Sequence, residues 1–423
     1  MHNPTIPYGK THFTWPLDQY PSFLSVHPKD VPATANGKAE VARAIANAIG
    51  KNIEELKGAK KVVIVTSDST RPVPNKEIFP PLLEALAEIG ISHKQITVLI
   101  GTGLHRPAPP EEFPVLLGED IAEKLTVISH DATDQSQLVH LGQTSRGTPI
   151  WINKHYHEAD ARILVGMIDP HQIVGISGGA KALAIGLGGE KLIQANHSML
   201  TQPTCRLGVV DGNPARADID EVGEIVGIDF IVNVILNNEK KIVKAVAGDF
   251  RKAHAEGIKL AQEICQVQVP EAADLVVASP GGYPKDINLY QAQKALAHAA
   301  LVVKEGGVII LSAQCKEGVG EERFETTMGL SHTPQEVLER FAQSEFQMGA
   351  HKAFLWARSL AKAKVILISE GITDEMAKLM MVERVTSLDE ALSLAKQYLP
   401  KEPKIILMPK ASSTIPILDS KCI

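Results

Sequence analysis

Two histidines, an aspartate–arginine turn and a lysine in a glycine-rich run are the residues of this 423-residue chain best suited to chemistry. His105 stands in Gly101-Thr102-Gly103-Leu104-His105-Arg106-Pro107, and His171 in Asp169-Pro170-His171. An imidazole of pKa about 6.5 can take or give a proton near neutral pH. Two such groups on opposite faces of one carbon are what inversion of a stereocentre requires. Asp68-Ser69-Thr70-Arg71 offers in Arg71 a fixed cation whose fork matches a carboxylate or phosphate. Asp68 and Thr70 could orient a ligand, or Asp68 could simply cap the following helix. In Ile176-Ser177-Gly178-Gly179-Ala180-Lys181 the glycines let backbone N–H groups approach a phosphate closely. Lys181 could pair with that phosphate or bond covalently to a carbonyl-type group. The alternative is a helix-packing segment with a solvated lysine. No Ser or Thr follows the lysine, so this is not a Walker loop.

Three further candidates are weaker. His197, in Gln194-Ala195-Asn196-His197-Ser198, has the chemistry of a metal ligand but no His-x-x-x-His or nearby carboxylate in sequence. Gln291 and Lys294, three apart on an expected helix, share a face. They could bind a substrate carboxylate across a cleft, or form an ordinary solvated face. Trp356 reads more readily as core than as a pocket wall.

The elements that position these residues follow from periodicity. Short β-branched runs at 62–66, 96–100 and 162–166 read as buried strands, each ending in one of the charged or imidazole-bearing turns. Ligands of open α/β sheets bind at the carboxyl ends of strands, so Asp68, Arg71, His105 and His171 are expected around one crevice. Helices are expected over 36–60 and 75–89, a short one near 110–117, a strand at 125–129 and a hairpin from 137–141 and 148–152. The pattern resets near 266–272. Strand 275–278, helix 287–303, strand 307–312, helices 334–345 and 347–362, strand 364–368, helix 387–399 and strand 404–408 form a second α/β unit. The expectation is two α/β domains with mostly parallel sheets and an active-site cleft between them. The N-terminal domain, 1–268, would carry the cofactor-binding and acid/base residues. The C-terminal, Rossmann-like domain, 269–423, would contribute substrate-binding residues.

Composition narrows the class. A formal charge of −6 argues against a nucleic-acid surface. No apolar stretch approaches the roughly 20 residues of a membrane span, and the N-terminus lacks a signal-peptide core, so a cytoplasmic protein is expected. Cys205, Cys265, Cys315 and Cys422 are scattered, without a Cys-x-x-Cys pair, which fits a reducing compartment. A nicotinamide-dependent 2-hydroxyacid dehydrogenase would need a complete Gly-x-Gly-x-x-Gly turn, and Gly101–Arg106 lacks the third glycine. A non-catalytic cofactor-binding protein would have no use for both His105 and His171.

Taken in order, Asp68-Ser69-Thr70-Arg71-Pro72-Val73-Pro74, Gly101–Pro107, Asp169-Pro170-His171, Ser177-Gly178-Gly179-Ala180-Lys181, Asn196-His197-Ser198 and Tyr290-Gln291-Ala292-Gln293-Lys294 resemble the nickel-dependent lactate racemase family over nearly the whole chain. The resemblance implies a racemase or epimerase of a 2-hydroxy acid, lactate or a related 2-hydroxycarboxylate. It also implies a cofactor, a nickel-pincer pyridinium-3-thioamide-5-thiocarboxylate mononucleotide, covalent to Lys181. His197 would be the protein ligand to nickel, and Asp68, Ser69, Thr70, Arg71, Ser177, Gly178 and Gly179 would contact the cofactor. His105 and His171 would be the paired acid and base of a reversible C2 hydride transfer. Arg71, Gln291 and Lys294, with Trp356 as a pocket wall, would bind substrate. Cofactor-maturation proteins are implied as partners, and neither nucleic acid nor membrane.

Overall fold

Val62, Val63, Ile64 and Val65 are 0–3% exposed, so the first run is buried on both of its faces. A strand without alternation is what a parallel sheet covered on both sides needs. The computed structural model describes residues 3–419. It divides into two units, 30–264 and a second made of 1–29 with 265–423.

In the first unit, six strands lie in the order Ile242–Gly248, Phe230–Leu236, Ala161–Met167, Val62–Ser67, Ile96–Gly101, Thr126–Ser129. All pairings are parallel except the edge pair of Phe230–Leu236 with Ile242–Gly248. Alternate residues, among them Ile64, Val98, Ile163 and Val232, share a core with Val41 and Ile45 of helix Gly37–Ala46 and Ile78, Phe79 and Leu82 of helix Asn75–Glu88. Burying each such side chain contributes about 1.5–3 kcal/mol. The strand order reverses at Val62–Ser67. The chain next adds Ile96–Gly101 on one side and later Ala161–Met167 on the other.

The helix expected over 36–60 stops at Ala46. Ile49 is drawn out of helical geometry because its N–H donates to the Ala247 carbonyl (2.8 Å), and Gly50 turns the chain at φ +81°. Only a short 3-10 turn, Ile53–Leu56, follows. Pro80 and Pro81 sit inside helix Asn75–Glu88 without ending it.

The second unit holds the parallel order Glu383–Val385, Lys364–Ile368, Val303–Ser312, Ala273–Ala278, Ile405–Met408, Leu24–Ser25. The last strand corrects the domain assignment: residues 1–29 belong with the C-terminal unit. Leu24 and Ser25 pair with Ile406 and Leu407. The hairpin of Thr5–Tyr8 with Thr11–Thr14 brings Ile6 and Tyr8, followed by Trp15, into a core with Leu275, Ile310 and Leu407. Gly9 N–H donates to the Asp286 carboxylate at 2.6 Å. The chain leaves the first unit within helix Lys252–Cys265, close to the expected break at 266–272. Cys205, Cys265 and Cys315 are buried, and Cys422 lies outside the described residues. Among the described residues no helix is long and apolar enough to cross a membrane.

Candidate active site

A pocket opens at the carboxyl ends of the first unit's strands, where the strand order reverses. The end of Val62–Ser67 contributes Ser67, Asp68, Thr70 and Arg71, and the end of Ile96–Gly101 contributes Gly101, Thr102, Gly103 and His105. Gly166 and Met167 come from the neighbouring strand, and Ser177, Gly178, Gly179 and Lys181 from the glycine-rich segment. Residues 37 positions apart thus meet: His105 Nδ1 lies 2.7 Å from Asp68 Oδ2.

Asp68 does not cap a helix, because the next helix begins at Asn75. Its other oxygen accepts from Thr70 N–H (3.1 Å) and Thr70 Oγ1 (2.6 Å). Burial opposes the charge, yet the bonds from His105 and Thr70 outweigh it and hold the carboxyl below its ordinary range. A carboxylate only accepts, so Nδ1 of His105 carries the proton and Nε2 keeps the lone pair. This is the carboxylate–imidazole arrangement that orients a general base. His105 is itself well exposed, its side chain at 45%.

His171 has the opposite polarity. It sits on Pro170–His171, paired with Gly175–Ile176, and its Nδ1 accepts from the N–H groups of Ile173 and Val174, both 3.3 Å. An accepting Nδ1 leaves the proton of a neutral ring on Nε2. His171 does not line the pocket of His105, so the four residues expected around one crevice are three in its wall and one beside the glycine-rich segment. Ser69 is exposed and outside the lining set.

Lys181 begins a short helix, Lys181–Ala184, behind two glycines in left-handed conformation, Gly178 (φ +90°) and Gly179 (φ +57°). Burial, then the nearby Arg71 and Arg216 cations, lower its pKa to about 7. A large fraction is then free amine, the nucleophilic form, at neutral pH. His197, on helix Glu190–Ser198, is 7% exposed, and burial with the Lys181 and Arg71 charges lowers its pKa to about 3.

Three side chains that sequence reading missed hold this loop. Asn233 Oδ1 accepts from Gly179 N–H (2.8 Å), Arg216 donates to the Gly178 carbonyl (3.1 Å), and His254 Nε2 lies 2.8 Å from the Ser177 carbonyl. Asp220 pairs with Arg216. They lie on Phe230–Leu236, Pro214–Val226 and Lys252–Cys265, elements absent from the sequence expectation. Two signals were present: an Asn-Pro helix start at 213–214, and a lone Asn inside the apolar run Phe230–Leu236.

Gly103 N–H donates to the Gly186 carbonyl at 3.1 Å, so one amide of the Gly101–Arg106 turn is used internally rather than offered to a phosphate. In the C-terminal unit, Lys294 Nζ donates to Gln291 Oε1 (3.2 Å), which places both on one face of helix Leu289–Ala299. Trp356 is core, as its residue type suggests, and not the pocket wall that the resemblance implies. It is 0% exposed, its indole N–H donates to the Met380 carbonyl (2.9 Å), and its ring meets Phe324 edge-on.

The chain matches the lactate racemase N-terminal domain family over residues 8–208 and the C-terminal domain family over residues 268–415. It is 34% identical to a lactate racemase of Thermoanaerobacterium thermosaccharolyticum, over 98% of this chain and 99% of that protein. The chain belongs to the lactate racemase family. A lactate racemase of Lactiplantibacillus plantarum is 32% identical, over 97% of this chain and 98% of that protein. The solved lactate racemase apoprotein from T. thermosaccharolyticum superposes with a TM-score of 0.90 at 33% identity, covering 98% of this chain and 100% of the other. A Thermotoga maritima protein at 17% identity and a TM-score of 0.65 shares the fold. As a member of this racemase family the chain is an isomerase, with a mixed α/β fold of parallel sheets.

Proposed function

We propose that the chain racemises a 2-hydroxy acid, lactate or a close relative, with a nickel-pincer pyridinium mononucleotide joined to Lys181. The observation that carries this reading is the pocket itself: a lysine of lowered pKa behind two left-handed glycines lines it together with Arg71 and the Asp68-bonded His105. The residues fit the group. His197, buried and held neutral by burial and the Lys181 and Arg71 charges, would offer one imidazole donor to a metal whose other donors come from the nucleotide. Bound there, that group would supply a reversible hydride acceptor for C2 of the substrate.

The protein's own part is proton traffic and anion binding. Nε2 of His105, its lone pair set by Asp68, takes the proton of the 2-hydroxyl. The Nε2–H of His171 is polarised to return one when the opposite enantiomer forms. Arg71 holds the carboxylate, which keeps the planar keto acid in place between the two proton transfers. Gln291 and Lys294 are carried in the proposal as further carboxylate-binding residues. Small 2-hydroxy acids, cofactor-maturation proteins and a cytoplasmic setting belong to it as well, with no role for nucleic acid or membrane.

The test is expression with and without cofactor-building proteins, followed by intact mass, nickel content and turnover of single enantiomers of 2-hydroxy acids. A mass gain of one modified nucleotide with about one nickel, both lost in Lys181→Ala, is the expected result. His105→Ala should keep the adduct and lose at least 10²-fold in racemisation. No adduct under maturing conditions, or normal turnover in His105→Ala, overturns the reading.

A further inference from the structure

Behind His197 lies a fully buried polar chain. Asp218 is 0% exposed and accepts from Thr144 Oγ1 (2.7 Å), Thr148 Oγ1 (3.0 Å) and Asn196 Nδ2 (2.9 Å). Asn196, also 0% exposed, gives its second amide hydrogen to the Ala215 carbonyl at 2.9 Å. Both partners of Nδ2 are acceptors, so the amide has one permitted orientation. A flipped Asn196 would set its oxygen against a carbonyl and a carboxylate. Its Oδ1 is therefore fixed as an acceptor, and it lies 3.3 Å from Nδ1 of His197. An acceptor there requires a donor opposite it, and that places the ring proton on Nδ1.

We propose that Asn196 is a positioning residue for His197. Held by Asp218 and the Ala215 carbonyl, it sets the imidazole in the Nδ1–H tautomer, whose ring lone pair, the one a metal would take, is on Nε2. The metal half of this inference rests on the reading of His197 as the nickel ligand. The tautomer half rests on geometry alone. Metal-binding histidines commonly give their other N–H to such a partner, and loss of the partner costs 10- to 100-fold in metal affinity. The bland alternative is that Asp218 only ties the Thr144–Thr148 turn to helix Pro214–Val226. That alternative leaves the His197 tautomer free.

The experiment is long-range 1H–15N correlation spectroscopy of the 15N-histidine-labelled full chain without cofactor, with His197→Gln to assign the signal. Wild type should show His197 as Nδ1–H. Asn196→Ala should shift it toward Nε2–H or a mixture, with an unchanged circular dichroism spectrum. In cofactor-loaded protein, Asn196→Ala should release nickel to a chelator 10- to 100-fold faster. An Nε2–H signal in wild type overturns the proposal with no variant needed, which covers the case of a variant that does not fold. So does a folded Asn196→Ala with wild-type tautomer and nickel release. Failure of wild type itself to hold nickel would instead overturn the functional reading, and with it the metal half. The two failures carry different signatures.

Discussion

At the residue scale, the structure fixes proton positions on the two histidines. Asp68 and the amides of Ile173 and Val174 give His105 and His171 opposite polarity, one with a free Nε2 and one with an Nε2 proton. Lys181 follows the same logic through charge. With a pKa of about 7, its amine should react with an acylating probe along a pH curve of midpoint about 7, far below the usual lysine range. Arg71→Ala removes a cation that disfavours the ammonium form, so the midpoint should move upward. Reactivity followed residue by residue by mass spectrometry reads this directly. An unmoved midpoint would leave burial as the whole cause. Arg71, His105 and Lys181 were legible as pocket residues from residue type and turn position, whereas His171, expected with them, does not line that pocket. The pairing of His105 with Asp68 was not, because a separation of 37 positions says nothing about the 2.7 Å between their side chains.

At the element scale, the glycine-rich loop is a shape imposed by its neighbours. A Cβ on Gly179 would stand 2.6 Å from His254 Nδ1, on a backbone already at φ +57°. Gly179→Ala should therefore push the loop off Asn233 and His254. The left-handed conformation costs a side chain about 1–2 kcal/mol, and a buried bond left unmade about 1–3 more. The expected outcome is a melting temperature lower by several degrees and slower Lys181 adduct formation. Thermal melts and adduct mass measured together check it, and a variant matching wild type in both would refute the clamp. Sequence periodicity found the strands before the loop because each was a continuous apolar run. The antiparallel edge, Phe230–Leu236 with Ile242–Gly248, and the two helices around it went unread although their pattern was present.

At the scale of the whole molecule, each unit buries a neutral histidine. His254 in one and His298 in the other both have pKa values of about 4. Burial is the main cause in each, with Arg216 acting next on His254. Unfolding would return each to about 6.5, so between pH 6.5 and 4 the unfolded chain binds more protons than the folded one. Stability therefore falls as the pH drops through that window, on the order of 2–3 kcal/mol per histidine. Denaturant titrations from pH 7 to 4 should show the loss, and His298→Asn should flatten the part belonging to the C-terminal unit. A pH-independent midpoint would contradict the burial. The sequence by itself determined the two α/β halves, the strand-end turns and the candidate residues, because apolar periodicity and turn chemistry are local. Only the tertiary structure decided that Leu24–Ser25 completes the C-terminal sheet. It alone decided that Arg216, Asn233 and His254 hold the loop of Lys181. Those outcomes depend on which backbone edge, void or carbonyl a distant segment meets, and contacts between residues far apart in the chain leave no periodic trace in it.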